Sequence, residues 1–242
     1  SMTKDVQTLQ QMIDQSSRIV FFGGAGVSTE SGIPDFRSVD GLYHQKYDEP
    51  PETILSHSYF KRYPEKFFAF HRDKMLFPDA EPNAAHRKLA ELERAGKLTA
   101  VITQNIDGLH QKAGSKHVLE LHGSVWRNYC MDCGRRYGLD FILHTDGVPR
   151  CECGGIVRPD VVLYEEALDS DVMAQAGGRS RHRRRHQPCG ISGRGPSAVH
   201  ARRHRSDQPL RHKHGQPREA CDFLADRRGA RADCRAFLKG VF

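Results

Sequence analysis

The sequence has a single Trp, and no apolar run in it approaches the length of a bilayer span, so no membrane-crossing helix and no membrane partner are expected. Its first residues, SMTKDVQTLQQM, contain no apolar signal core. The expected setting is therefore the cytoplasm, where seven Cys favour metal or thiol chemistry over disulfides. Aromatics and aliphatics are unevenly missing too. Residues 177–242 have no Tyr or Trp and only nine Leu, Ile, Val or Phe, too little apolar surface to offset the entropy of ordering that segment. They also hold 17 Lys and Arg against 5 Asp and Glu, and subtracting these from the chain's 37 and 30 leaves residues 1–176 with 20 against 25. The basic character of the chain, net +7, thus belongs to the tail alone, while the first 176 residues are mildly acidic.

Those first residues carry the periodicities of a globular α/β protein. Val6, Leu9, Met12 and Ile13 share one face of a helix predicted over residues 4–16. Residues 18–22 (RIVFF) form a short apolar strand that opens into a glycine turn. Residues 40–80 are rich in aromatics and punctuated by Pro, the pattern of helices and loops. A helix is expected from Asn83 to Gly96, a buried strand over Leu98–Thr103, a second over Val118–Leu121, and an extended segment over Val161–Tyr164. There are no internal repeats.

Strand, glycine turn and helix in that order make the phosphate-binding opening of a Rossmann-like unit. Here the turn reads Gly24-Ala25-Gly26-Val27-Ser28. Glycines let the backbone approach a pyrophosphate, although a turn that needs positive φ would select them as well. The turn is followed by GIPDFR, ending in Asp35, Phe36 and Arg37. An aromatic at that place suits a lid over a nucleotide, or ordinary core packing. Gln104, Asn105 and Asp107 come directly after a buried strand, at the carboxyl end where α/β sheets bind ligands. Three such groups are costly to bury without partners, and an Asx turn accounts for one of them but not for the cluster. His122 ends the next strand, just before Gly123. A His there can reach a ligand and move a proton, or it can be structural.

Cys130-x-x-Cys133 and, 17 residues on, Cys151-x-Cys153 have the spacing of one tetrahedral structural zinc site. A redox pair is the alternative. Four thiolates close the coordination sphere, so such a zinc would hold structure and activate no water. Cys189, Cys221 and Cys234 have no partner spacing.

Taken together, GAGVSTESGIPDFRS, TQNIDGLHQKAGS, ELHGS, YCMDC and CECGGIVRPDVVLYEE resemble the sirtuins, NAD-dependent protein deacylases, in the look of a bacterial member. The likeness covers residues 1 to about 176 in the family's order. It implies a Rossmann-like parallel-sheet domain over residues 1–125 with a helical insertion at about 40–80. It further implies a small inserted zinc-ribbon module over 126–158, a return to the large domain over 159–176, and an aberrant basic tail beyond that does not follow the family fold. It implies that Ala25, Gly26, Asp35, Phe36 and Arg37 line the NAD pocket. Gln104, Asn105 and Asp107 would hold the nicotinamide ribose and nicotinamide. His122, with Asn105, would be catalytic, His122 as general base, and Cys130, Cys133, Cys151 and Cys153 would hold one zinc ion. Val161, Val162 and Tyr164 would flank the acyl-lysine peptide, although the family usually shows Phe-Gly where this chain has Tyr164-Glu165.

The implied reaction takes acetyl-lysine and NAD to free lysine, nicotinamide and O-acetyl-ADP-ribose, with acetylated proteins or peptides as partners, no specific nucleic acid, and a monomeric enzyme. Phe67 to Met75 (FFAFHRDKM) lacks the Tyr-x-x-Arg pair of desuccinylase-like members, which favours an uncharged acyl group. Mono-ADP-ribosyl transfer would use the same pocket and is the alternative activity. A zinc-ribbon nucleic-acid binder with a basic arm ranks below both, because it leaves the cluster at Gln104 to Asp107 unexplained.

The family continues past the equivalent of Gln175 with a strand, GTSL..YPAAGL and GD..LVLIN, none of which is visible in this tail. Codons read from their second base let His186–Gly195 encode TSLVVYPAAG, Ala201–Arg203 encode RGD, and Ser206–Gln208 encode LIN. From about Gly177 the chain is therefore read as a frameshifted translation. Made with this tail, it is expected to be poorly soluble and to have little activity, because the lost half would supply central strands and the adenine side of the pocket. Sequencing the source DNA across codons 170–190 checks this, and one uninterrupted frame encoding the tail as it stands would refute it.

Overall fold

A computed structural model of the chain describes residues 4–36 and 47–177. The reading of the tail and the expectation for Arg37 lie outside those residues.

The chain opens with α1 (Lys4–Gln15). Val6, Leu9 and Ile13 are half-buried on its inner face, but Met12 is exposed, so the apolar stripe is narrower than the spacing suggests. Lys97 caps the helix's carboxyl end, its Nζ donating to the carbonyls of Ile13 and Asp14 at 2.9 and 3.1 Å. Strand β1 (Ile19–Gly23) follows and runs into a 3-10 turn, Ala25–Ser31. The sequence pattern called for an α-helix there. Gly32, in the left-handed region, stops the segment, and the Thr29 hydroxyl donates back to the Gly26 carbonyl, holding the tighter winding.

Three short helices come next: α2 (Pro51–Ile54), α3 (His57–Arg62) and α4 (Pro64–Phe70), the last running into one π turn, His71–Met75. Pro51 and Pro64 sit at first helical positions, where no N–H is missed. Helix α5 (Ala84–Arg94) is started by a capping box in which Asn83 accepts from Ala85 N while His86 Nδ1 accepts from Asn83 N. Strand β2 (Leu98–Thr103), α6 (Leu109–Lys112) and β3 (Val118–Glu120) follow. Together β1, β2 and β3 make a parallel sheet in that order.

Strand β4 (Gly123–Cys130) starts a second, antiparallel sheet with β5 (Arg136–Gly138) and β6 (Val157–Val161), order β5-β4-β6. Helix α7 (Leu139–Leu143) lies between the last two, and α8 (Ser170–Ala176), capped by Asp169, closes the described chain. Of the extended segment expected over Val161–Tyr164, only Val161 lies in a strand: β6 runs from Val157 to Val161, paired with β4, and Tyr164 makes an isolated bridge to Ser56. No helix among the described residues is long and apolar enough to cross a membrane.

Two cores hold this together. Phe21, Val27, Leu89, Leu98 and Val101 join the parallel sheet to α5. The larger core mixes Ile54, Phe60, Phe67, Phe68 and Phe70 of the helical insertion with Val125, Cys130, Ile142, Cys151 and Val157 of the cysteine module. Each fully buried side chain in it contributes about 1.5–3 kcal/mol. The insertion and the module, apart in sequence, thus share one interior. Strands β4 and β6 cross the boundaries at residues 125 and 158 that the sequence suggests, and so run unbroken from one part into the other.

Candidate active site and metal centre

Parallel pairing sets the level of the polar groups. Thr103 pairs with Glu120, so Asn105 and His122 both lie two residues beyond matched positions on neighbouring strands. The Thr103 carbonyl accepts from Leu121 N, and Gln104 N donates to the Gly23 carbonyl at 3.0 Å, which brings the β2 end against the glycine turn. Gly123 has φ +77, and a Cβ there would lie 1.9 Å from the Asp160 carbonyl oxygen. No other residue fits, and this contact seats the residue after His122 directly on β6.

Within this setting Ser28 is the hub. Its hydroxyl, fully buried, donates to Asp107 Oδ2 at 2.6 Å and accepts from Asn105 Nδ2 at 3.1 Å. His86 Nε2 lies 3.4 Å from the same oxygen. Because His86 Nδ1 accepts from Asn83 N, its Nε2 carries the proton and donates to Ser28. Asp107 Oδ1 accepts from Leu109 N, so both carboxylate oxygens are engaged. Asn105 N is held by the Thr103 hydroxyl. Burial depresses the pKa of His86, with Asp107 pulling the other way. His110, edge-on to His86 at 4.8 Å, is pushed down to about 4, chiefly by burial. Both rings are therefore neutral near pH 7, and Asp107 faces no imidazolium.

His122 is half-buried. Its Nδ1 lies 2.9 Å from the Gln104 carbonyl oxygen, which can only accept. Nδ1 therefore holds the proton and Nε2 has a free lone pair. Burial lowers the His122 pKa, partly offset by the Gln104 carbonyl. The imidazole is a base ready to take a proton at neutral pH.

Ala25 and Gly26 lie in the 3-10 turn, Gly26 exposed. Asp35 and Phe36 are half-buried, and Phe36 packs against the larger core. Val161 is buried, Val162 half-buried, and Tyr164 exposed. Val162 N donates to the His122 carbonyl at 2.9 Å, which places the peptide-flanking candidates beside the candidate base. Tyr164 bridges to the insertion, its carbonyl accepting from His57 N and its N–H donating to the Leu55 carbonyl. Glu165 has φ 75, the left-handed region that Gly occupies freely. Its carboxylate accepts from both N and Oγ of Ser58, which offsets the strain. Glu166 is drawn down to about 2 against burial by Arg158, Leu163 N and His57.

The four cysteines meet. All their Sγ atoms lie within 4.8 Å of one another, with Cys130–Cys153 and Cys133–Cys151 each at 3.5 Å. A tetrahedral ion with Zn–S bonds near 2.3 Å has S···S edges of about 3.8 Å, so the cluster fits zinc. Asp132 N and Cys133 N aim at Cys130 Sγ, and the Tyr137 hydroxyl donates to Cys151 Sγ at 3.0 Å. Such outer donors are what a thiolate site uses.

A model of the Sir2 family matches residues 24–183. The chain belongs to the Sir2 family. It is 59% identical over 172 residues to an NAD-dependent protein deacetylase of Clostridium acetobutylicum, covering 69% of this chain and 70% of that one. It is 46% identical over 184 residues to one from Staphylococcus aureus, covering 75% of each. Among solved structures, a Sir2 protein with a p53 peptide and NAD+ aligns at TM-score 0.62 and 41% identity, over 72% of this chain and 70% of that one. Another, from work on the mechanism and regulation of Sir2 enzymes, aligns at 0.65 and 44%, over 75% and 73%.

In this Sir2 chain the sequence pattern pointed to Gln104, Asn105, Asp107 and His122 but missed Ser28 and His86, which join Asn105 and Asp107 in one hydrogen-bonded network. Ser28 lay inside the quoted GAGVS, yet read as part of a turn. His86 showed only as a residue of a helix start.

Proposed function

We infer that this chain is an NAD-dependent protein lysine deacetylase, taking acetyl-lysine and NAD to lysine, nicotinamide and O-acetyl-ADP-ribose. The observation that carries this is the tautomer of His122, a neutral base fixed by the Gln104 carbonyl at the level of Asn105 and beside Val162. Family membership and the deacetylase relatives supply the reaction. The donor set fits the cofactor. A glycine turn can lie against phosphate, and Asn105 and Asp107 offer an amide and a carboxylate to a sugar and a carboxamide. NAD, when bound, supplies an activated ribose carbon and a nicotinamide leaving group.

The chain's own groups do the rest. Ser28 and the Leu109 amide hold Asp107, and Ser28 also engages the Asn105 amide. His122 Nε2 takes the proton from a ribose hydroxyl. The half-buried Phe36 helps keep water out. Val161, Val162 and Tyr164 flank the acyl-lysine. An uncharged acyl group is favoured, because the Phe67–Met75 segment lacks the Tyr-x-x-Arg pair of desuccinylase-like family members. A structural zinc on the four cysteines orders the module. A monomeric, cytoplasmic enzyme is part of the same proposal.

The test incubates the chain, and a version with its reading frame restored after Gly177, with an acetyl-lysine peptide with and without NAD. Deacetylated peptide and nicotinamide should appear only when both substrates are present. Nicotinamide release independent of acetylation would instead mark ADP-ribosyl transfer. Steep salt-dependent DNA binding without turnover would support the nucleic-acid reading.

A further inference from the structure

We propose that Trp126, the chain's single tryptophan, is a positioning residue for the nicotinamide end of the NAD site, acting through Asp107. This rests on the reading of Asp107 as a group that faces the ligand. Trp126 is not a core residue. It lies on β4 and is 42% exposed, so packing alone does not account for so large an aromatic there. What it does touch is specific. The indole Nε1–H donates to the main-chain carbonyl of Asp107 at 2.8 Å. The ring lies against Gly108, which has φ +73, and a Cβ added there would come within 2.8 Å of the indole. Only glycine lets the loop and ring meet this closely.

One residue earlier on each side, Val125 N donates to the Ile106 carbonyl at 3.1 Å. The loop after β2 is therefore fastened to β4 at two successive carbonyls, one by backbone and one by the indole. Asp107 is held from opposite ends, its carboxylate by Ser28 and Leu109 N, its carbonyl by Trp126. Removing the indole donor frees the peptide plane between Asp107 and Gly108, next to the Cα from which the carboxylate is aimed. The same strand ends at the zinc ligand Cys130, so the cysteine module bears on this aim through Trp126.

The test compares the chain with its reading frame restored after Gly177 with the Trp126→Phe variant of that same chain, which keeps a ring over Gly108 and loses the N–H. Hydrogen exchange of the Leu109 amide, bound to Asp107 Oδ1, should quicken by about 2- to 10-fold, the worth of one hydrogen bond, while amides of β2 keep their rates. The Kd for NAD should rise by a similar factor, with the Kd for the acetyl-lysine peptide, the zinc content and the Tm unchanged. In an Asp107→Asn background, Trp126→Phe should add little to the NAD Kd, because the two act as one unit. Wild-type Leu109 exchange in Trp126→Phe, or equal weakening of NAD and peptide with a lowered Tm, overturns the proposal. If Asp107→Asn alone leaves NAD binding unchanged, the reading of Asp107 fails instead, and the exchange result still decides whether Trp126 holds the loop.

Discussion

Replacing His122 with Ala in the frame-restored chain should cut deacetylation by at least about 100-fold, the lower end of what a positioned general base contributes. Nicotinamide exchange into NAD should persist, because a base that acts on a ribose hydroxyl is needed only after nicotinamide has left. The Tm should change little, since His122 is half-buried and its side chain is tied to a single carbonyl. Equal loss of exchange and deacetylation would sink this role for His122. The pH profile gives a second check. Burial lowers the His122 pKa from the ordinary 6.5, so the base stays unprotonated through neutrality. The acid limb of kcat/KM should therefore fall below pH 6.5, and the His122→Ala variant should lack that limb in its residual rate. Stability has the matching sign. A histidine whose pKa drops on folding costs stability as the pH falls through its unfolded value, so His122→Ala should be no less stable than the parent in mild acid.

Removing the metal should have the largest effect on stability. Cys130 and Cys151 are buried in the same core as Phe60, Phe67 and Phe68, so loss of the ion exposes more than a surface loop. Four uncompensated thiols would open the turns at Cys130–Cys133 and Cys151–Cys153, and the insertion helices would lose one wall. Chelation, or Cys151→Ser, should lower the Tm by roughly 6–16 °C, from about 3–4 kcal/mol of lost metal binding and 2–4 °C for each. One zinc per chain should be released on unfolding, measured by a chromogenic chelator. A metal-free chain with an unchanged Tm would refute the structural role. The NAD side should suffer indirectly, because β4 runs from beside His122 to Cys130.

How much of this was legible beforehand differs by element. Strand β2 and helix α5 follow from a six-residue stretch of apolar and β-branched residues and from Asn83 before an amphipathic stretch. The 3-10 turn did not, because Val27, Ser28 and Thr29 suit several local windings and the tertiary bonds of Ser28 choose among them. The start of β6 was also hidden, since Arg158 and Pro159 do not read as strand. Yet Arg158 is buried, with its guanidinium on Glu166 and the Val161 carbonyl, and it pairs across from Tyr129.

The residues alone determined what depends on short spacing. The glycine turn after an apolar strand, the amide and carboxylate at one strand end, and the two cysteine pairs are each fixed within a few positions, where backbone geometry leaves little choice. Tertiary structure decided everything that joins distant positions. Ser28 meets His86 across 58 residues and Asp107 across 79, and His57 meets Glu166 across 109. No local period encodes such pairs. They arise because buried polar groups must find partners once the two cores have brought β1, α5, β2 and the insertion together.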